Sequence, residues 1–159
     1  MTTKIVATPL VVKITESITL NGSPQGAINS RVISSVAEVS KRIVTITTAE
    51  STIATFSAAV ASAGHYVAAD VRYIRFTNLD DTNFLTLTFR NQDNDEAAIK
   101  LDAGQSFIWN GDNANGMTAV LNATQDADAA SDTAFGSLTN IQADANSGSC
   151  DLEMFIASV

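Results

Sequence analysis

Along much of this 159-residue chain, apolar residues recur at every second position, and that spacing admits strands while leaving little room for helices. Residues 71–78 read Val-Arg-Tyr-Ile-Arg-Phe-Thr-Asn, β-branched and aromatic side chains that suit a pleated surface. In residues 84–90, Leu85, Leu87 and Phe89 alternate with Phe84, Thr86, Thr88 and Arg90. Between them lies Asn78-Leu79-Asp80-Asp81-Thr82-Asn83, which is turn chemistry, because Asn and Asp tolerate left-handed geometry and bond to their own backbone. The spacing predicts a hairpin over 71–90 at the centre of the fold, with Leu85, Leu87 and Phe89 buried.

The same grammar continues on both sides. Residues 97–101 and 106–110 read as paired strands around Asp102-Ala103-Gly104-Gln105, where Gly104 supplies a positive φ. Residues 117–122 read as another strand and 123–136 as a long exposed loop. A C-terminal hairpin is expected from 138–143 and 150–157. Upstream, 10–20 and 32–48 favour strands, separated by the breaker cluster Asn21-Gly22-Ser23-Pro24-Gln25-Gly26. Residues 50–64 read two ways. Ile53, Phe56 and Val60 have helical spacing between Ser51 and Gly64, while the β flanks favour a strand over 51–57 followed by loop. The whole predicts an all-β protein, an antiparallel β-sandwich or jelly roll. Residues 9–159 would form its single domain and 1–8 an N-terminal arm.

Composition narrows the function. Ala, Thr, Ser and Asn fill 69 of 159 positions, so small neutral polar groups cover a surface where Lys and Glu are usual. The net charge of −8 has the wrong sign for a free nucleic-acid binder. Residues 1–75 carry +3 and residues 76–159 carry −11, an asymmetry able to orient the molecule against a charged partner. No apolar run suits a signal peptide or a membrane span, and Cys150 has no second cysteine to pair with. A soluble protein made in a cytoplasm is expected, with no nucleic acid and no membrane as partner.

Catalytic constellations are scarce. His65, the single histidine, has no nucleophile among its neighbours, and Ser106 lacks the second glycine of a hydrolase elbow. One His and one Cys cannot complete a zinc site without several carboxylates. Calcium has hard ligands in two acidic loops, Asp126, Asp128 and Asp132 in one, Asp93, Asp95 and Glu96 in the other. Yet the first loop carries Ala130 and Ser131 where an EF-hand needs a ligand and a glycine, so solvated loop acids are expected. Trp109, Tyr66 and Tyr73 are candidates for stacking on a sugar, although strand aromatics usually belong to a core. Lys41 and Arg42 are the adjacent basic pair, and Arg72, Arg75 and Arg90 fall on neighbouring strands of the expected hairpin, where they would form a small basic patch. No catalytic, cofactor-binding or metal-binding residue is assigned.

The stretch Tyr73-Ile74-Arg75-Phe76-Thr77-Asn78-Leu79-Asp80, followed by Leu101-Asp102-Ala103-Gly104-Gln105-Ser106-Phe107, resembles the strand-and-turn texture of small virion proteins of tailed bacteriophages. The ending Asp151-Leu152-Glu153-Met154-Phe155-Ile156-Ala157 is similar in style. The resemblance implies a capsid decoration (cement) protein without enzymatic activity, resident in the virion and bound to the major capsid protein or other virion subunits. A tail, neck or fibre-base component is the alternative, and a carbohydrate-binding β-sandwich a second one. A symmetric homo-oligomer, a trimer in particular, is expected. Lys4, Lys13, Arg31, Lys41 and Arg42 would face an acidic shell.

Overall fold

Strands follow one another with no helix in the computed structural model, which describes residues 5–118, 120 and 137–159. These residues divide into two compact units, residues 39–158 in one and residues 5–38 with Val159 in the other.

The first unit is a ribbon. β1 (Thr8–Thr15) pairs antiparallel with β4 (Ile28–Val36), and β2 (Thr19–Leu20) pairs with β3 (Ser23–Pro24). The β2–β3 loop is Asn21-Gly22, both with positive φ, the two-residue turn whose twist matches that of paired strands. The breaker cluster at 21–26 is thus itself a hairpin. Gly26 is required where it sits, since a Cβ there would lie 2.1 Å from the Glu16 carbonyl oxygen. Of the expected arm at 1–8, residues 5–7 are irregular, Thr8 already opens β1, and the rest lies outside the described residues.

The second unit carries two sheets. β11 (Ser106–Asn110), β8 (Val71–Asn78), β13 (Cys150–Ser158) and β5 (Glu38–Ile46) form one, in that order. β10 (Glu96–Leu101), β9 (Leu85–Asn91), β12 (Leu138–Ala145), β6 (Ser51–Ser57) and β7 (His65–Val67) form the other. The β10–β9, β9–β12, β12–β6, β11–β8 and β8–β13 pairs are antiparallel, and β6–β7 is parallel. The two orders match position by position: β11 with β10, β8 with β9, β13 with β12, β5 with β6. Each matched pair is consecutive in the chain, so four of the six crossings between sheets are arches between facing positions; the other two run from β7 to β8 and from β11 to β12. Two long antiparallel ladders folded over in this way make a jelly roll.

That topology corrects three expected hairpins. β8 and β9 do not pair, nor do β10 and β11, nor β12 and β13; each connection is an arch between sheets. The true hairpin of the region is β9–β10, turning at 92–95. Alternating burial could not tell the cases apart, because a strand shows the same inward face whether its successor lies beside it or opposite. Leu85, Leu87 and Phe89 are buried as expected, and they meet Ile74, Phe76, Leu152, Met154 and Ile156 in one core. Each such aliphatic side chain contributes about 1.5–3 kcal/mol by leaving water. Residues 51–57 are strand β6, as their β flanks favoured. Met117 is buried in a turn and not a strand; the remainder of 117–122 and the loop at 123–136 fall largely outside the described residues.

Asn78 closes the first corner. Fully buried, it donates from Nδ2 to the carbonyls of Asn83 (2.8 Å) and Leu101 (3.2 Å) and accepts from the Asp80 amide at Oδ1 (3.0 Å). Its own amide donates to the Gln105 carbonyl at 3.0 Å, tying the two neighbouring arches together. Asn146 serves another corner with a single bond, accepting from the Phe84 amide at 3.0 Å in an exposed setting. Asn78→Ala leaves the buried Leu101 carbonyl and the part-buried Asn83 carbonyl short of a donor and should cost about 2–3 kcal/mol. Asn146→Ala should cost about 1 kcal/mol or less. Urea unfolding of both variants checks the ranking, and equal losses would show that Asn78 is not the corner's anchor.

Candidate functional site

Strand alternation decides which side chains reach the surface together. Lys41 and Arg42 are neighbours in sequence, so on β5 they point to opposite faces and form no basic pair. Lys41 lies on the outer face of the four-stranded sheet, where its Nζ is 3.3 Å from Glu153 on β13. Glu153 also accepts from Arg75 on β8, whose guanidinium donates to Thr77 as well. Three adjacent strands therefore share one charge cluster, and the Arg75 and Lys41 hydrogen bonds hold the Glu153 carboxyl below the usual glutamate range. The expected patch of Arg72, Arg75 and Arg90 does not form. Arg90 sits in the opposite sheet and pairs with Glu96, while Arg72 donates to the Ala69 carbonyl.

Arg42 points inward and donates to the Ile53 carbonyl across the sandwich, its Nε buried without an acceptor. With Thr52, Thr55, Gly64 and His65 it lines a cavity of about 360 Å3. The half-buried His65 stands at the start of the edge strand β7, its amide donating to the Ser62 carbonyl at 3.1 Å. That lining holds no serine or cysteine, and its side-chain hydroxyls are those of Thr52 and Thr55. Ser106 is elsewhere, its hydroxyl 2.8 Å from that of Thr77. Cys150 is buried at the start of β13, and burial, then the charge of Asp80, pushes its thiol up, away from the reactive thiolate.

The acidic loops have structural work. Asp80 accepts from the Thr82 (2.8 Å) and Asn83 (2.6 Å) amides, and Asp112 from those of Ala114 (2.9 Å) and Asn115 (2.8 Å). These backbone bonds hold both carboxyls below the usual aspartate range. Asp93, Asp95 and Glu96 belong to the β9–β10 turn: Asn91 Oδ1 accepts from the amides of Asp93 and Asp95 at 2.8 Å each. Asp126, Asp128 and Asp132 lie outside the described residues. Among the described residues, no group of three or more His, Cys, Asp or Glu side chains is placed to hold a metal.

The aromatic candidates face inward or pair with each other. Trp109 packs edge-on against Phe89 of the opposite sheet, ring centres 4.9 Å apart, and against Phe107 at 6.2 Å. Tyr66 is buried against Phe56 and donates to the Ser40 hydroxyl at 3.0 Å. Tyr73 is buried against Phe155 at 5.9 Å. Tyr66 and Tyr73 are buried and Trp109 is half-buried against the core, so neither tyrosine offers an exposed ring for a sugar to stack on.

No protein-family model, curated protein or solved structure matches this chain.

The Glu153 cluster makes a pH prediction. Its folded-state pKa lies below the unfolded value, so the cluster stabilises the fold above about pH 4.3 and loses that contribution as pH falls further. The melting temperature should fall on acidification, and Glu153→Gln should flatten part of that fall. Parallel melting profiles for the two proteins would show that the cluster is energetically silent.

Proposed function

We propose that the chain is a non-enzymatic virion structural protein of a bacteriophage, a capsid decoration protein that binds the assembled head and reinforces contacts between its subunits. It works as a homo-oligomer, a trimer in the simplest form, with the major capsid protein as its partner and the virion as its location. The observation that carries this reading is a jelly roll, an architecture that viral capsid domains use, joined in one chain to a β-ribbon with exposed apolar side chains. Fold alone does not fix function; the reading draws further support from composition. A surface of Ala, Ser, Thr and Asn makes close, wet contacts while immobilising few long side chains. Each contact is weak, and repetition over a symmetric lattice multiplies the gain.

The same chemistry would serve a tail, neck or fibre-base component, and binding to shells separates these from the head. Jelly rolls also occur in lectins, but Tyr66 is buried in the core, Tyr73 is buried against Phe155 and Trp109 packs on Phe89, which weakens the case for a sugar platform.

Purified protein mixed with heads assembled without it should co-sediment at saturating, stoichiometric occupancy and raise the temperature at which the heads rupture. Neither calcium nor simple sugars should alter its own melting temperature. Failure to bind the heads, with binding to isolated tails, would move the protein to the tail; a sugar-dependent rise in melting temperature would favour the carbohydrate reading.

A further inference from the structure

Eight of the thirteen large hydrophobic side chains exposed among the described residues fall within residues 5–36, which are less than a quarter of those residues. The register shows how they are arranged. Val11 is the cross-strand partner of Val32, and Thr15 of Ile28, so Val11, Val32 and Ile28 share one face of the β1–β4 ribbon with Lys13 and Ser30. Their exposures are 58%, 63% and 67%. Ile18 and Leu20, in and beside β2, are about half exposed as well. The ribbon has only two strands, so each also keeps an unpaired edge. A two-stranded ribbon with a bare apolar face is marginal in water by itself.

We propose that this face is the contact between copies of the chain: the Val11, Val32 and Ile28 face of one ribbon packs against the ribbon of a second copy. Charge selects the occupant. Residues 1–38 carry a net +1, whereas residues 39–158 carry −9, so copies that met through their sandwiches would repel strongly. Meeting through ribbons brings nearly neutral surfaces together, with Lys13 the single charge on the shared face. Closed symmetry then covers the same face in every copy. The inference deepens the oligomer named under Proposed function and rests on that part of it, independently of the shell.

Sedimentation velocity of the full chain from low to high micromolar concentration tests it. The wild-type protein should associate, and Ile28→Asp and Val32→Asp should each weaken association at least about tenfold. Ile43→Asp, at an exposed position on β5, should leave it unchanged. The near-ultraviolet signal of Trp109 and the melting temperature report whether each variant is folded. As a second measurement, Val32→Cys with a short bis-maleimide should link copies in pairs, since the buried Cys150 stays out of reach. An oligomer indifferent to both ribbon substitutions, with no cross-link through position 32, overturns the ribbon contact while the oligomer stands. A chain that remains monomeric throughout overturns both. Should that monomer bind heads and lose binding with Ile28→Asp, the occupant of the face is the shell and not a second copy.

Discussion

Wherever this chain crosses from one sheet to the other, its backbone leaves one ladder before joining the next, and its polar groups must find partners at the rim of an apolar core. The four arches solve the problem jointly. The Asn78 amide donates to Gln105, that of Leu79 to Asp151, that of Ala145 to Thr47 and that of Asn146 to Phe84, at 2.8–3.2 Å. These bonds tie the β8–β9 connection to the β10–β11 connection and to β13, and the end of β12 to the β5–β6 and β8–β9 connections. Asn78 supplies what the backbone alone cannot, with a side chain that serves three groups in a buried site. The rest of the sandwich depends on these corners, because they fix which strand lies opposite which.

The unusual composition follows from that demand. Asn and Asp recur where the chain turns: Asn91 in the β9–β10 hairpin, Asp80 and Asp112 in loops where one carboxylate accepts two amides, Asn146 at the last arch. Thr and Ser line the outer faces, and charge is concentrated in a few clusters such as Lys41, Arg75 and Glu153. Among the acidic residues that look like candidate ligands in the sequence, Asp93 accepts from Gln92, Asp95 accepts from Asn91 and Glu96 pairs with Arg90.

Alternation was sufficient to read the core and most strands, down to the bounds of β6, but it missed β7 and the start of β4, put a strand at Met117 and did not give the topology. A buried face tells which side chains point inward and says nothing of the sheet that holds them; hence the arches at 79–84, 102–105 and 146–149 passed for hairpins. Length carried a usable hint, since a six-residue connection opening on an apolar-flanked Asn is longer than a tight reversal needs. The opposite directions of Lys41 and Arg42 follow from period two alone. Trp109 was less tractable, because its neighbour Ile108 is also apolar and either could have faced in; the contact with Phe89 of the opposite sheet decides it. Asn21-Gly22 was legible as a hairpin turn, and reading the cluster around it only as a breaker concealed the ribbon. Nothing local in the sequence marks that ribbon as a separate unit, for its strands have the same texture as the rest.

The corner network fixes which strands lie side by side in the jelly roll, so the pairing it enforces is the claim to test first. Cross-strand Hα–Hα nuclear Overhauser effects in solution report that pairing directly. The account predicts contacts from residues 71–78 to residues 106–110 and 150–158, and from residues 85–91 to residues 96–101 and 138–145. A ladder of such contacts between residues 71–78 and 85–91 would contradict it, because those strands would then form a hairpin within one sheet and the jelly roll would not exist.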